Sequence, residues 1–444
     1  MIATDRPLAE RLLALWDHLG LEAAHVATQI PGDLAGFAAV AAARIAGLAF
    51  CVPTRLDPAA FQPVASRVLL IAAETGLSAA VTARGADQLA GARRVVLAAY
   101  DRPGWADVVA DRTEAVTDAL LGWFTDRGGS AAPRLPASSG QHAGITWRAT
   151  GQGPALVLLP FFLAPSQWEP AIPALAERFT VIVLGGPHLG GVAMLEDRAR
   201  APSYRGMAGT LFDLLAPGEG TRVLDVGCGS GALDRMLAAR LPAGATIVAT
   251  DLNPFLLAEA EALAAAAGHA ARIRFVPGNA EALPFPDAAF DHAFTVTVLE
   301  ECDADRALGE LVRVVRPGGR IGVIVRAIDL PQWWNLALPE PIRRKVSVPP
   351  QSVARAGLAD ASLYARMRAA GLEDVRGFPS LVTLDRPEGP IWRYREEHAL
   401  SLLDPAETVA WRQSVAAARA AGTLLQAHPM HCAVGVRPGG RPAP

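Results

Sequence analysis

The sequence predicts an α/β protein in which buried strands alternate with helices. Residues 223–226 and 245–250 are short apolar runs, and an acidic side chain lies within the first run and directly after the second. An alanine-rich stretch that includes residues 264–267 follows them, and alanine is the strongest helix former. Strands that alternate with helices are typical of a mainly parallel sheet. The 444-residue chain, with 51% hydrophobic residues, is long enough for two or three domains.

The most informative stretch is VLDVGCGSG at residues 223–231, where an apolar strand runs into Gly227, Gly229 and Gly231. Glycine lets the backbone turn tightly and lets a ligand approach the main chain without meeting a Cβ atom. The helix expected from about Ala232 would point its positive end at the same place. The pattern indicates a site for a nucleotide-like ligand, although similar turns also occur in ordinary strand-to-helix loops and in dinucleotide-binding domains.

Two further segments fall where an adenosine-binding domain needs them. The second strand ends in Asp251, a carboxylate suited to a ribose diol. The segment GNAEALPFPDAAFD at residues 278–291 offers Asn279, with the adjacent backbone at Ala280, as a reader of the adenine edge. A fourth strand is expected at residues 292–298, followed by a helix end, a glycine turn and a fifth strand.

Together these segments resemble class I S-adenosylmethionine-dependent methyltransferases, particularly the small-molecule branch that includes the quinone-biosynthesis enzymes. The resemblance covers residues 201–437 and includes VVRPGGR before the fifth strand. It implies a Rossmann-like sheet of seven strands, with a sixth strand within residues 359–385 and the last in LLQAHPMHCAVGVRP. The glycine spacing differs from the G-x-G-x-x-G of nicotinamide enzymes.

The resemblance implies S-adenosylmethionine as the cofactor. Asp251 with its neighbour Leu252 would hold the ribose, and Asn279 and Ala280 would meet the adenine. Thr295 is the remaining member of the expected cofactor-binding set. Four residues of the turn would line the methionine and sulfonium end: Asp225, Gly227, Cys228 and Gly229. An alternative interpretation of Cys228 is that it fills a small site in the turn.

The methyl acceptor is expected at the carboxyl ends of the fourth and fifth strands, where open α/β sheets bind their ligands. Candidate side chains there are Thr295, Thr297, Glu300 and Glu301. Relatives often have histidine at the position of Glu301, so two adjacent acids are a departure from the pattern. Glu301 is the candidate catalytic base, and the alternative is a solvated pair of acids at a helix start.

Two C-terminal clusters have alternative interpretations. Trp333 and Trp334, flanked by prolines, resemble a lid over the acceptor site, but they could equally be core aromatic residues. His428, His431 and Cys432 suggest a metal site, yet neighbouring residues of a strand point to opposite faces. We therefore expect no metal there, and favour a histidine whose hydrogen bonds are satisfied within the protein, or a polar group of the acceptor pocket.

The first 195 residues are not required by a methyltransferase core. Residues 1–127 look like the C-terminal half of an α/β-hydrolase, residues 128–142 like a linker, and residues 143–195 like the N-terminal half of the same fold. This predicts a hydrolase-like unit with its halves in swapped order, or two fragments of one. A methyltransferase domain over residues 201–437 and a flexible tail over residues 438–444 would complete the chain.

Hydrolase chemistry needs a nucleophile on the turn after a central strand, an acid and a histidine. The turn reads T-Q-I-P-G, so that Ile30 stands where the nucleophile is needed. Glu74 is the acid candidate, and YDRPGWAD at residues 100–107 has no histidine. The region is therefore interpreted as a pseudo-hydrolase that shapes a substrate pocket, covers the methyltransferase or mediates dimerisation. A stabilising appendage without a role in catalysis is the alternative.

The amino-acid composition of the chain limits the binding partners and the cellular location that we expect for the protein. The net charge of −3 gives no basic excess that would suggest nucleic acid or an anionic membrane as partner. The four cysteines form no C-x-x-C pair, which fits a reducing cytosol. The N-terminus does not read as a secretory signal, and Arg44 interrupts the most apolar stretch. We expect a cytoplasmic protein without a membrane span, and a homodimer is one arrangement that the sequence leaves open.

The sequence thus predicts methyl transfer from S-adenosylmethionine to a small organic acceptor. An alternative from another class is a protein that binds the cofactor without transferring its methyl group, as a regulator, as a scaffold or to direct another reaction of a bound acceptor. An active hydrolase lacks its nucleophile. The identity of the acceptor, and whether oxygen, nitrogen, carbon or sulfur is methylated, stay open.

Overall fold

The computed structural model describes residues 6–101, 107–127, 131–162, 164–186, 189–351, 353–386 and 389–439. The chain divides into two compact units, Met1–Met194 and Leu195–Pro444, which we call the first and the second unit. Each unit has its own sheet. Within the described ranges, every helix is too short or too polar to cross a membrane.

The first unit is an eight-stranded sheet with helices on both faces, in the strand order β4-β3-β2-β1-β7-β8-β6-β5. Its strands are β1 (Ala24–Thr28), β2 (Ile45–Cys51), β3 (Val68–Ala73), β4 (Arg93–Leu97), β5 (Ser139–His142), β6 (Ile145–Thr150), β7 (Ala155–Leu158) and β8 (Thr180–Gly185). Its helices are α1 (Leu8–His18), α2 (Gly32–Ala41), α3 (Gly76–Gln88), α4 (Val108–Asp111), α5 (Thr113–Thr125) and α6 (Ile172–Ala176), and α7 (Gly190–Arg200) contains the division between the units.

Strands from both ends of the first unit belong to this one sheet. Strand β1 pairs in parallel with β2 on one side and with β7 on the other. Strands β1, β3 and β8 are buried along their whole length, as expected for strands covered on both faces. Val26 and Ala27 accordingly face different hydrophobic cores, one containing Trp16 and the other Trp168.

The second unit is a nine-stranded sheet in the order β11-β10-β9-β12-β13-β17-β14, with β15 and β16 also paired to β17. Its strands are β9 (Arg222–Val226), β10 (Thr246–Asp251), β11 (Ile273–Pro277), β12 (Phe290–Val296), β13 (Val315–Arg326), β14 (Trp333–Trp334), β15 (Glu373–Gly377), β16 (Ser380–Leu384) and β17 (Gln426–Val436). Its helices are α8 (Pro202–Leu215), α9 (Ala232–Ala238), α10 (Pro254–Ala266), α11 (Ala304–Val314), α12 (Glu340–Val346), α13 (Ser362–Ala369), α14 (Pro390–Ser401) and α15 (Pro405–Ala420).

The strand order reverses at β9. The chain runs outward from β9 to β10 and β11, and then crosses back to β12, which pairs with the other side of β9. The pairs among β9 to β13 are parallel, and β17 runs antiparallel to β13. A reversal of this kind opens a crevice at the carboxyl ends of the strands, which is where such sheets bind ligands.

The sheet differs from the expected seven strands. Segment 359–385 forms two strands rather than one, because Pro379 lies between β15 and β16 and has no N–H group for the ladder. The pair Trp333–Trp334 adds the short strand β14. The fourth strand ends at Val296 rather than at 298, since Thr297 has a positive φ of 59°.

Some sequence-based expectations fall on positions that the structure does not describe. They are residues 102–106 of the YDRPGWAD segment, residues 128–130 of the expected linker and residues 440–444 of the expected tail. Residues 21–53 contain β1, α2 and β2 in this order.

Candidate active site

The glycine turn joins β9 to α9 at the reversal of the sheet. Gly227, Gly229 and Gly231 have φ angles of 78°, 57° and 69°, which side chains other than glycine rarely adopt. A Cβ atom on Gly227 would lie 2.1 Å from Cγ2 of Val298. The N–H of Gly227 donates to the carbonyl of Thr250 at 2.7 Å, which fixes the turn against β10. The turn therefore presents main chain rather than side chains to the crevice.

Asp251 lies at the end of β10 and is held against this turn. Its Oδ2 accepts a hydrogen bond from the N–H of Gly229 at 3.0 Å, and its Oδ1 accepts one from the N–H of Asn253 at 3.0 Å. Burial raises the pKa of this carboxyl. Each carboxylate oxygen keeps a second lone pair, so Asp251 can still accept hydrogen bonds from a ligand. The next residue, Leu252, is 73% exposed and offers an apolar surface beside it.

Two buried carboxyl groups lie behind the turn. Asp225, in β9, and Asp234, in the first turn of α9, are completely or almost completely buried, and each affects the pKa of the other. Burial, with the neighbouring charge, raises the pKa of Asp225 well above its usual range, and burial raises the pKa of Asp234 to about 7. A carboxyl group with a pKa of about 7 is partly protonated at neutral pH, so the proton content of Asp234 changes with pH in this range. Sequence reasoning missed Asp234, although an acid directly after a glycine turn is a usable signal.

The expected adenine-binding segment follows β11, the neighbour of β10. Asn279 is exposed, and its Oδ1 accepts a hydrogen bond from the N–H of Glu281 at 2.9 Å. Ala280, between them, is half-buried. The turn is thus ordered by its own side chain, at the same edge of the sheet as Asp251.

Two residues of the expected cofactor-binding set have structural contacts instead. Thr295 is completely buried, and its hydroxyl donates to the carbonyl of Val226 at 2.8 Å, which ties β12 to β9. Cys228 is buried in the core below the turn, and burial raises the pKa of its thiol. The burial of Cys228 agrees with the interpretation that it fills a small site.

The two adjacent acids differ in their surroundings. Glu300 is buried, accepts a hydrogen bond from the N–H of Arg326 at 2.6 Å and pairs with the guanidinium of the same residue. Glu301 is exposed at the surface, yet desolvation, with the negative charge of Glu300, raises its pKa to about 7. Helix α11 begins later, with Asp303 accepting a hydrogen bond from the N–H of Arg306 as its N-cap. The acids therefore precede the helix, and Glu300 is a buried ion-pair partner.

The tryptophan pair is divided between core and surface. Trp334 is buried, donates from Nε1 to the carbonyl of Val346 at 3.2 Å, and packs edge to face against Trp392 and Trp411. Trp333 is exposed. For Trp334 the structure favours the core interpretation over a lid.

The two C-terminal histidines, His428 and His431, do not come together in one site. His431 contacts Oδ1 of Asp329 at 2.9 Å through Nε2 and the hydroxyl of Tyr364 at 3.3 Å through Nδ1. His428 is buried at another position of β17, and Cys432 lies in the core. A search of the described ranges finds no group of three or more histidine, cysteine or acidic side chains placed to hold a metal ion.

An ion pair that the sequence did not indicate supports the glycine turn. Glu196, on α7, accepts a hydrogen bond from the hydroxyl of Ser230 at 2.6 Å and pairs with Arg235 at 2.6 Å. Arg235 also donates to the carbonyl of Ser230 at 2.7 Å. Because the partners are far apart in sequence, no local pattern could have revealed this contact.

Part of the second unit is similar to known proteins. Residues 224–323 match the protein family described as "Methyltransferase domain". An uncharacterised protein of Mycobacterium bovis is 41% identical over 140 residues, which cover 31% of this chain and 47% of that protein. The demethylmenaquinone methyltransferase of Thermus thermophilus is 46% identical over 105 residues, covering 23% and 46%. The malonyl-acyl-carrier-protein O-methyltransferase of Erwinia billingiae is 37% identical over 145 residues, covering 31% and 53%.

The chain spans about half the length of these curated relatives. A solved structure, the YcgJ protein of Bacillus subtilis, overlaps 53% of this chain and 100% of that chain at 19% identity, with a TM-score of 0.37 that carries no argument. The matched residues 224–323 contain the glycine turn after β9, Asp251 at the end of β10 and strand β12.

Proposed function

We propose that this protein transfers the methyl group of S-adenosylmethionine to a small organic acceptor. The observation that carries the proposal is the glycine turn at the reversal of the sheet, with Asp251 fixed against it at the end of the neighbouring strand. A match to the methyltransferase domain family over residues 224–323 supports it. Two of the partial relatives are named as methyltransferases, which also favours this activity.

The residues present fit the cofactor. The turn at Gly227 has no room for a Cβ atom because Val298 packs against it, and Asp251 keeps lone pairs that can accept hydrogen bonds from a ribose. Leu252 gives an apolar surface and Asn279 an exposed amide for the base. When bound, S-adenosylmethionine supplies a methyl group that is already electrophilic. The protein then has to orient the acceptor and exclude water from the site.

Glu301 is our candidate for the group that accepts a proton from the acceptor. It follows β12 in the same turn as Val298, which packs against Gly227 and so places this turn beside the glycine turn. A carboxyl with a pKa of about 7 is suited to a general base near neutral pH. Glu300 cannot take this role while it is paired with Arg326.

Calorimetric titration with S-adenosylmethionine and S-adenosylhomocysteine tests the proposal. We expect saturable binding, weakened about 10- to 100-fold in Asp251→Asn because hydrogen bonds to a charged group are lost. Asp213→Asn, at an exposed acid of the same unit, is the matched control and should bind normally. Transfer of labelled methyl to small acceptors would follow. Absence of binding to folded protein contradicts the proposal, and binding with no transfer to any acceptor supports the non-methylating alternative.

The substitution Glu301→Gln tests whether Glu301 is a catalytic base or a solvated acid without a catalytic role. If Glu301 accepts the proton, kcat rises with pH through about 7 in the wild-type protein, because the carboxylate form is the active one. The variant should lose about 100-fold in kcat and lose this pH dependence, with KM little changed. An unchanged kcat in Glu301→Gln would identify the side chain as a solvated acid without a catalytic role.

For the first unit we infer a hydrolase-like fold whose halves follow each other in swapped order and which has no nucleophile. The parallel pairing of β1 with β7 supports this, because it joins the two halves in one sheet. Ile30 lies on the turn between β1 and α2, the place of a nucleophile elbow. The side chain of Gln29 accepts a hydrogen bond from the N–H of Phe162 at 2.9 Å, in the loop after β7. A main-chain donor that could serve an oxyanion is therefore already engaged.

A further inference from the structure

A buried histidine, His428, lies on the face of the second sheet that packs against α8. His428 is 5% exposed, and its Nδ1 has no hydrogen-bond partner among the described residues. It pairs with Val382 of β16, and it lies on the same face of β17 as Met430, two residues further on. Met430 is opposite Arg326, the last residue of β13. His428 therefore lies near the carboxyl end of β13, where an acceptor is expected.

Helices α7 and α8 bring an arginine and a tyrosine to this face. The hydroxyl of Ser203, in the first turn of α8, donates to the carbonyl of Thr383 at 3.1 Å and accepts from its N–H at 2.8 Å. Thr383 is adjacent to the residue that pairs with His428, so buried Tyr204 is fixed close by. The guanidinium of Arg198 lies 4.9 Å from the centre of the Tyr204 ring.

Helix α14 brings a second arginine. The N–H of Ile391 donates to Oδ2 of Asp197 at 3.3 Å, which places the start of α14 beside α7. Arg395 lies one turn further along α14 and is 5% exposed. Arg198 is the neighbour of Asp197 in α7, so both arginines approach the same region from adjacent helices.

Three arginine side chains act electrostatically on His428. Burial, with the charges of Arg395, Arg198 and Arg326, lowers the pKa of His428 well below its usual value. Arg326 is neutralised by Glu300. Arg198 makes no ion pair within the part of the chain that the structure describes, and its Nε is buried without a partner. A buried guanidinium without a counter-ion is unfavourable, and a bound anion would offset that cost.

Helix α7 connects the arginine cluster to the glycine turn, because Glu196, two residues before Arg198, accepts a hydrogen bond from the hydroxyl of Ser230 in that turn at 2.6 Å. The charges of Asp225 and Glu300 both act on the hydroxyl of Tyr204, although burial is the main reason that its pKa is raised. Asp225 belongs to the strand that carries the glycine turn, and Glu300 follows β12. The cluster thus lies within reach of a molecule bound beside the cofactor site.

We propose that the methyl acceptor carries a carboxylate or phosphate group, which Arg198 and Arg395 hold beside His428. The guanidinium group is planar and forms paired hydrogen bonds with either kind of anion. The neutral imidazole of His428 supplies one further hydrogen bond. This substrate class rests on the proposed methyltransferase function, since it concerns the acceptor side of that site.

Anion binding to the protein loaded with S-adenosylhomocysteine tests the proposal. The probes are benzoate and phenyl phosphate, with uncharged benzamide as their matched control. We expect at least one anion to bind below about 10 mM and benzamide to bind at least 10-fold more weakly. Arg198→Met should weaken anion binding about 10-fold or more, while Arg198→Lys, which keeps the charge without the planar fork, should lie in between.

Control variants keep the outcomes separate. Arg344→Met, at an arginine whose side chain is 75% exposed, should bind the anions like the wild-type protein. Affinity for S-adenosylhomocysteine should change less than about twofold in all these variants, because the cluster binds the acceptor. No anion binding by loaded wild-type protein, equal binding of benzamide, or an unaltered Arg198→Met would overturn the anionic-acceptor proposal. Failure of S-adenosylhomocysteine itself to bind would instead overturn the proposed function.

Discussion

Both units place a strand, a tight turn and a helix in the middle of a parallel sheet, but they equip that turn differently. In the second unit the turn after β9 consists of glycines at positive φ and exposes main chain. In the first unit the turn after β1 carries Ile30, and Gln29 closes it by accepting a hydrogen bond from Phe162. The fold supplies a turn at the end of a central strand, while the side chains decide whether that turn is a binding site.

Buried polar groups show the same contrast. In the second unit, buried Asp225 lies in β9 and buried Asp234 lies in the first turn of α9, on either side of the glycine turn. In the first unit, buried His25 packs against the rings of Phe124 and Phe179, and burial, with the charge of Arg127, lowers its pKa to about 4. A neutral histidine among aromatic rings contributes to packing, whereas the raised pKa values of Asp225 and Asp234 let this carboxyl pair respond to pH.

The substitution Gly227→Ala tests the contrast between the two turns most directly, because it adds a side chain to the glycine turn of the second unit. The new Cβ atom would lie 2.1 Å from Val298 at a φ of 78°, so the turn has to move. We expect a loss of about 2–5 kcal/mol in stability and no measurable binding of S-adenosylhomocysteine. Thermal melting and calorimetric titration measure the two effects.

Gly309→Ala is the matched control for this substitution. Gly309 lies inside helix α11 of the same unit, and a Cβ atom there meets nothing within 4 Å. Alanine should stabilise the helix by about 0.5–1 kcal/mol and leave ligand binding intact. Normal binding of S-adenosylhomocysteine by Gly227→Ala would show that the glycine turn is not the cofactor site.

The sequence predicted best where a local pattern has one structural explanation. Three features could be predicted from the sequence: the glycine turn, the strand ending at Asp251 and the α/β class. They could be predicted because φ restrictions and apolar periodicity act over a few residues. The role of the Thr295 side chain could not be predicted from a local pattern, because its hydroxyl donates a hydrogen bond to the carbonyl of Val226, 69 residues away in sequence. The ion pair of Glu300 with Arg326 and the approach of α7 to α14 likewise depend on long-range packing. Contacts between residues far apart in sequence were therefore much less predictable than the local glycine turn.

Asp234→Asn tests whether the buried carboxyl pair of the second unit responds to pH. The folded pKa of Asp234 is about 7, above the ordinary value of 3.8, so the folded protein holds a proton that the unfolded chain releases. Stability should therefore fall as the pH rises from about 4 to about 7, by at most about 1.4 kcal/mol per unit. The asparagine removes one titrating group, so the melting temperature should depend less on pH than in the wild-type protein. Asp213→Asn, at an exposed acid, should keep the wild-type slope; equal slopes in Asp234→Asn and the wild-type protein would mean that the pair holds no extra proton.

Ile30→Ser should have the smallest effect on chemistry, although it restores the missing hydroxyl to the first unit. A serine is a weak nucleophile without a base, and the described histidines of this unit are engaged elsewhere: His18 stacks on His142, and His25 is buried among phenylalanines. Glu74, the acid candidate, accepts a hydrogen bond from the N–H of Ala99 at 2.8 Å. We expect the variant and the wild-type protein to hydrolyse p-nitrophenyl acetate no faster than heat-denatured protein does. A rate of p-nitrophenyl acetate hydrolysis about 10-fold or more above that of the wild-type protein in Ile30→Ser would mean that the rest of a hydrolase site is intact. In that case a single side chain, at position 30, would account for the missing hydrolase activity of the first unit.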